Sequence, residues 1–112
     1  MPKVFIPNKA YHDFSGAAKY GSLEYLTHGK ISILAIGRMY RTFLPHIVRS
    51  SPDDYILITG PAILSSILCT MFGLRHGVLN LLIYHLDNVG IGHYKSRQIS
   101  FEDFTNGGFW ND

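Results

Sequence analysis

The sequence predicts a small α/β sandwich: a mainly parallel sheet of four or five strands, covered by helices, with an antiparallel strand at its C-terminal edge. Three observations predict it. The stretch Ser51–His85, SPDDYILITGPAILSSILCTMFGLRHGVLNLLIYH, reads as one strand–helix–strand unit. Along the whole chain, apolar and turn-forming segments follow the order β-α-β-α-β-α-β-β, and such alternation implies parallel strands joined by crossover helices. The last linker, Asp87-Asn88-Val89-Gly90, is too short for a crossover, so it makes the final pair an antiparallel hairpin.

In the central unit, Tyr55 to Thr59 is an apolar run with Pro52, Asp53 and Asp54 before it and Gly60-Pro61 after it. A run of this kind fits a strand buried on both faces. Pro61 suits the first helical position, where a missing N–H costs nothing. The helix carries Ile63, Leu64, Ile67, Leu68, Met71, Phe72 and Leu74, with Arg75 and His76 in its last turn and Gly77 as its stop. Leu79 to Tyr84 is the next strand. Ile56, Leu57 and Ile58, with Leu81, Leu82 and Ile83, are therefore the expected centre of the core.

The flanking elements follow in order. Val4-Phe5-Ile6 is a short strand ended by Pro7-Asn8. Asp13 or Ser15 caps a short helix that runs to Lys19 and Tyr20 and ends at Gly21. Leu23, Tyr25 and Leu26 form the second strand. Ser32 is the expected N-cap of the next helix, whose stripe of Ile36, Met39, Tyr40, Phe43, Leu44 and Ile47 recurs at three- and four-residue spacing. Pro45 removes a backbone hydrogen bond and should kink or shorten that helix. Ile91 to Ile99 is an edge strand guarded by Lys95 and Arg97. The architecture is a three-layer, Rossmann-like sandwich over residues 1–100, with one face thinly covered because the first helix is short. An aromatic tail over 101–112, with Phe101, Phe104, Phe109 and Trp110, follows and should dock on the domain or a neighbouring subunit, since exposed aromatic patches mark interfaces.

With 112 residues the chain is one domain, and 46% hydrophobic against 16% charged residues gives it a core without metals or disulfides. A net charge of +2 with scattered cations is no nucleic-acid footprint; Arg38, Arg41 and Arg49 read as a solvated helix face. The single Cys69 reads as a buried, inert thiol and points to a reducing compartment. No stretch looks like a secretory signal or reaches the ~20 apolar residues of a membrane span. A soluble, cytoplasmic protein is expected.

Ligands of open α/β sheets sit beyond the carboxyl ends of the strands, near helix N-termini. That rule selects Asn8, Lys9, His12, Asp13 and Ser15 after strand one, His28 with Thr27 and Gly29 after strand two, and Thr59 and Gly60 after strand three. These side chains suit an anionic, nucleotide-like ligand. Capping also explains Asp13 and Ser15 with no ligand at all. The G-x-x-x-x-G-K-[ST] and G-x-G-x-x-G phosphate loops are absent. None of His12, His28, His46, His76, His85 and His93 has metal-site spacing, so neither metal nor cofactor is expected. His85 and His93 face each other across the hairpin, and His46 reads as a surface residue.

IPNKAYHDFS, MYRTF, PDDYILITG and HGVLNLLIY together resemble small proteins encoded by tailed bacteriophages, over Val4 to Tyr84. The resemblance carries no catalytic activity to transfer; it implies a viral accessory or host-interaction protein. Three functions remain open. One is a small-molecule binder of a nucleotide or phosphorylated metabolite, of the class that sequesters a host nucleotide signal. Another is an oligomeric interaction protein that buries its tail against a second copy. The third is a small enzyme using His12 and His28 as acid and base.

Overall fold

The computed structural model describes residues 1–106. It contains strands β1 (Lys3–Ile6), β2 (Ser22–Tyr25), β3 (Tyr55–Leu57), β4 (Val78–Leu86) and β5 (Gly92–Ser100). The helices are α1 (Ile36–Val48), α2 (Ala62–His76) and α3 (Phe101–Asn106). One sheet holds all five strands in the order β2-β1-β3-β4-β5. The first four are parallel, and β4 and β5 pair antiparallel, with Tyr84 opposite Tyr94 and His85 opposite His93.

Alternation along the strands sorts the side chains between two faces. Phe5, Ile56 and Leu79 meet Met39, Phe43 and Ile47 of α1 and Leu64, Leu68 and Phe72 of α2. Val4, Ile6, Leu57 and Leu82 point the other way, against Phe14, Ala17 and Tyr94. Both long helices thus cover one face. The link from β1 to β2 runs in the opposite direction along the sheet and over the opposite face, so the three crossovers share one hand, as the right-handed rule requires.

The second face is thinner than a helix layer. The expected helix to Lys19 and Tyr20 is a single 3-10 turn, Ser15–Ala17. Its backbone bonds run three residues back, from Ala17 N–H to Phe14 O at 2.9 Å and from Ala18 N–H to Ser15 O at 3.0 Å, while Asp13 Oδ1 accepts the Ser15 N–H at 2.9 Å at its start. The sandwich is therefore asymmetric, with two helices below the sheet and a loop, one turn and a row of rings above it.

Other expectations shift by small steps. Pro61 is the N-cap of α2, in extended conformation, and the helix begins at Ala62. Gly77 closes it in the left-handed region at φ 70°, its N–H on Gly73 O at 2.7 Å. Ser32 is not the cap of α1; Ala35 holds that place without a side-chain bond, while Ser32 O accepts the Ala35 N–H one turn earlier. Pro45 leaves α1 only one further turn, to Val48. His46 is no simple surface residue, for its Nδ1–H donates to Glu24 Oε2 at 2.6 Å and its ring meets the Phe5 edge.

The core centre also needs correction. Ile56, Leu57 and Leu82 are buried, but Leu81 is half-buried, Ile58 is 38% exposed and Ile83 40% exposed. The reason is strand length: β3 ends at Leu57, while β4 and β5 continue past it as a two-stranded ribbon. The stretch after β5, read above as an aromatic tail, opens with α3. Its Phe101 packs on the α2 face at Gly73 and donates its N–H to Gly77 O at 3.0 Å. Phe109 and Trp110 lie outside the described residues. Among those described, no helix is long and apolar enough to cross a membrane.

At the amino ends of the strands, Asp54 is 3% exposed and ties β1 to the turn that leads into β3. Its Oδ1 accepts the Lys3 N–H and its Oδ2 the Ser51 N–H, both at 2.8 Å. Asn80 of β4 donates to the carbonyls of Pro52 and Asp54 and accepts from Gln98.

Candidate functional site

Beyond the carboxyl ends of β1 and β3, a cleft of about 360 Å³ opens on the face away from α2. Its floor and walls are Leu57, Ile58, Phe14, Tyr84 and Tyr94, and its polar lining is His12, Asp13 and Thr59. Three of the residues selected from the sequence thus meet in one place. Parallel pairing of β1 with β3 brings their following loops to the same edge, as expected.

The polar groups here are not consumed by the fold. Neither the His12 ring nitrogens nor Thr59 Oγ1 makes a hydrogen bond among the described residues; His12 only rests its ring 6.0 Å from that of Phe14. Asp13 gives one oxygen to the Ser15 N–H, and that bond holds its carboxyl below the usual range, so it is ionised at neutral pH. Tyr94 is pushed the other way, by burial first and then by the neighbouring Tyr84, Asp13 and Tyr25, which keeps its hydroxyl a neutral donor. Tyr84 and Tyr94 pack edge to face at 5.3 Å, and Tyr20 fixes the strand beneath by donating to Tyr94 O at 2.9 Å.

The remaining selected residues lie elsewhere. Asn8 is structural: its Nδ2 donates to Gly29 O and its Oδ1 accepts from Thr27 Oγ1, clamping the two loops together. Lys9 and His28 are adjacent in the backbone of that clamp, and Lys9 Nζ sits 5.1 Å from the centre of the Tyr25 ring. Lys9 lines a second cleft, of about 460 Å³, with Tyr11, Gly29 and Lys30. Ser15 faces a smaller recess beside Lys19 and His93. Gly60 is exposed at the start of α2, on the other side of the sheet from the first cleft.

This division has a chemical consequence. The first cleft contains one carboxylate and no lysine or arginine, so by itself it favours rings and hydroxyls over phosphate. Cationic charge gathers at Lys9 and Lys30, across the segment Lys9–Phe14. His12 and His28 make no contact; the rings of Phe14 and Tyr25 stand between them, at 6.0, 6.3 and 6.1 Å along the row. Among the described residues no three His, Cys, Asp or Glu gather as a metal site.

Tyr84, Tyr94, Phe14 and Lys30 were not selected from the sequence. Tyr84 and Tyr94 were findable, since a hairpin turn over Asp87–Gly90 sets them opposite each other.

Fold and cleft define a small single-sheet α/β protein whose free polar side chains gather beyond the strand ends. The chain belongs to the Phage Pam3 gp32-like protein family, whose model matches residues 2–99, and it is thus a phage protein. Neither a curated protein nor a solved structure gave a match.

Proposed function

We propose that this phage protein binds a nucleotide-like small molecule and acts as an accessory that sequesters it in the host cytoplasm. The base and ribose would occupy the aromatic cleft, with Tyr84 as stacking surface and Asp13 and Thr59 as partners for hydroxyls. The phosphates would lie toward Lys9 and Lys30. The observation that carries this reading is the polar capacity left over in one cleft lined by rings: the His12 ring nitrogens, Thr59 Oγ1 and the second oxygen of Asp13. Binding is favoured over catalysis because no base reaches a second reactive group there.

Calorimetry against matched nucleosides and nucleotides tests it. Lys9→Ala with Lys30→Ala should weaken nucleotides but not nucleosides, whereas Asp13→Asn with His12→Ala should weaken both. No heat from the wild type with any of the panel, or equal binding by both double variants, would sink the reading.

A further inference from the structure

Next to the lysine cleft, on the side of α1, lies a smaller recess of about 130 Å³. Lys30 lines both. Arg38 of α1 joins it in the recess, with the hydroxyls of Ser32 and Thr42. Among the described residues neither cation makes a side-chain hydrogen bond or ion pair, and neither hydroxyl is bonded. Arg38 read from the sequence as part of a solvated row with Arg41 and Arg49, but of the three only Arg38 lines this recess.

Charge and size say what fits there. Among the described residues no carboxylate lines the recess or the lysine cleft. From Phe14 to Pro52 the chain has one carboxylate, Glu24, and His46 Nδ1 already holds it at 2.6 Å. The donors thus have no internal acceptor, and an anion with several oxygens is the complementary group. Pockets that take a whole drug-sized ligand run to ~300–1,000 Å³, so about 130 Å³ suits one phosphate group rather than a second sugar or base.

Connectivity ties the recess to the nucleotide site. The Phe14 ring, a wall of the aromatic cleft, stands 6.3 Å from the Tyr25 ring, whose centre lies 5.1 Å from Lys9 Nζ. Lys9 and Lys30 share the next cleft, and Lys30 and Arg38 the recess after it. The lining changes in one direction, from rings with a carboxylate, to two lysines, to a lysine with an arginine. That is the order of a base with its sugar, followed by a chain of phosphates. We propose that the ligand is a nucleoside polyphosphate whose last phosphate occupies the recess beside Lys30 and Arg38, and that Arg38 selects for phosphate number. The inference rests on the nucleotide reading above and adds the class of nucleotide to it. An arginine suits the task, because its planar guanidinium offers paired N–H donors to phosphate oxygens.

Calorimetry at one salt concentration compares a nucleoside, its monophosphate, its triphosphate and inorganic triphosphate. The wild type should bind the nucleoside triphosphate at least roughly tenfold tighter than the monophosphate. Arg38→Ala alters an exposed side chain and should keep the fold by circular dichroism. It should remove most of that gain while moving the monophosphate's affinity less than about twofold. Arg49→Ala takes the same charge from the far end of α1, and should leave the gain intact. Equal affinity for monophosphate and triphosphate overturns the inference and leaves the nucleotide reading standing. A gain that survives Arg38→Ala overturns it too, as does an equal loss from Arg49→Ala, which would mean bulk charge. Inorganic triphosphate bound as tightly as the nucleoside triphosphate also overturns it, since the recess would then be a plain anion site. Absence of binding by every nucleoside and nucleotide is a separate result, which removes the nucleotide reading itself and this inference with it.

Discussion

Asp54 offers the sharpest test of how the sheet is held. Replacing it with alanine leaves the Lys3 and Ser51 N–H groups without their acceptors, at a position only 3% exposed. Hydrogen bonds to a charged group contribute about 1.5–3 kcal/mol each, but both donors lie near the surface and water can replace part of the loss. Asp54→Ala should therefore cost about 2–4 kcal/mol, a large fraction of the ~5–15 kcal/mol that a domain of this size possesses. Asp54→Asn keeps one acceptor oxygen and turns an NH2 toward the other N–H, so it should cost less than alanine yet remain destabilising. Urea unfolding at neutral pH, followed by circular dichroism, measures both, and an unchanged m-value shows that the end states are comparable. If Asp54→Ala moves stability by less than ~0.5 kcal/mol, as an ordinary surface change does, the anchor between β1 and the Ser51–Asp54 turn is not what the distances suggest.

Three further outcomes follow from other contacts. An ideal Cβ on Gly73 would lie 2.2 Å from the Phe101 ring, so Gly73→Ala should displace α3 and cost about 1–3 kcal/mol, despite alanine's better helix propensity; faster hydrogen exchange at the Phe101 amide would show it, and a stabilised variant would contradict it. His76 is held below its usual 6.5, by burial first and then by Arg75, with Asp54 opposing. The unfolded chain therefore binds this proton more readily, so stability should rise with pH through the window just below 6.5. Replacing His76 with glutamine, which keeps a donor for Ser50, should flatten that slope in urea titrations, and a slope of the opposite sign would refute the assignment. Burial pushes the Cys69 thiol up, so alkylation should be slow in the native protein and fast in urea; equal rates would mean an open thiol.

Much of the fold was legible because apolar runs and turn residues agree along Ser51–His85, and because α1 carries a full helical stripe. Parallel pairing of the runs Tyr55–Thr59 and Leu79–Tyr84 followed from that alternation, and the structure sets its register with Ile56 beside Leu81. What the sequence hid were tertiary decisions. Nothing in Tyr11 to Tyr20 distinguishes one 3-10 turn from two helical turns, since the Asp13–Ser15 bond caps either; the backbone bonds there run three residues back instead of four. Nor could Ile58 and Ile83 be known as exposed, since that depends on where β3 stops relative to β4. The site was legible by position and not by composition. The strand-end rule brought His12, Asp13 and Thr59 together, but it cannot say on which side of a loop a lysine emerges. It therefore grouped Lys9 with residues that line another cleft.

The two ends of the sheet differ in a way that bears on function. At the amino ends, Asp54 and Asn80 spend their hydrogen-bonding capacity on backbone groups. There too Ser50 Oγ donates to Ile47 O and accepts from His76 Nε2 at 2.7 Å. That serine is committed to closing α1, so the Ser50–His76 pair is a cap and not a nucleophile with its base. At the carboxyl ends the side chains of His12, Thr59 and Lys9 make no hydrogen bond among the described residues, and His12 and Lys9 rest only against rings. His12 and Thr59 share one cleft with Tyr84 and Tyr94 while Lys9 lines its neighbour, and that arrangement is what supports the proposed ligand site.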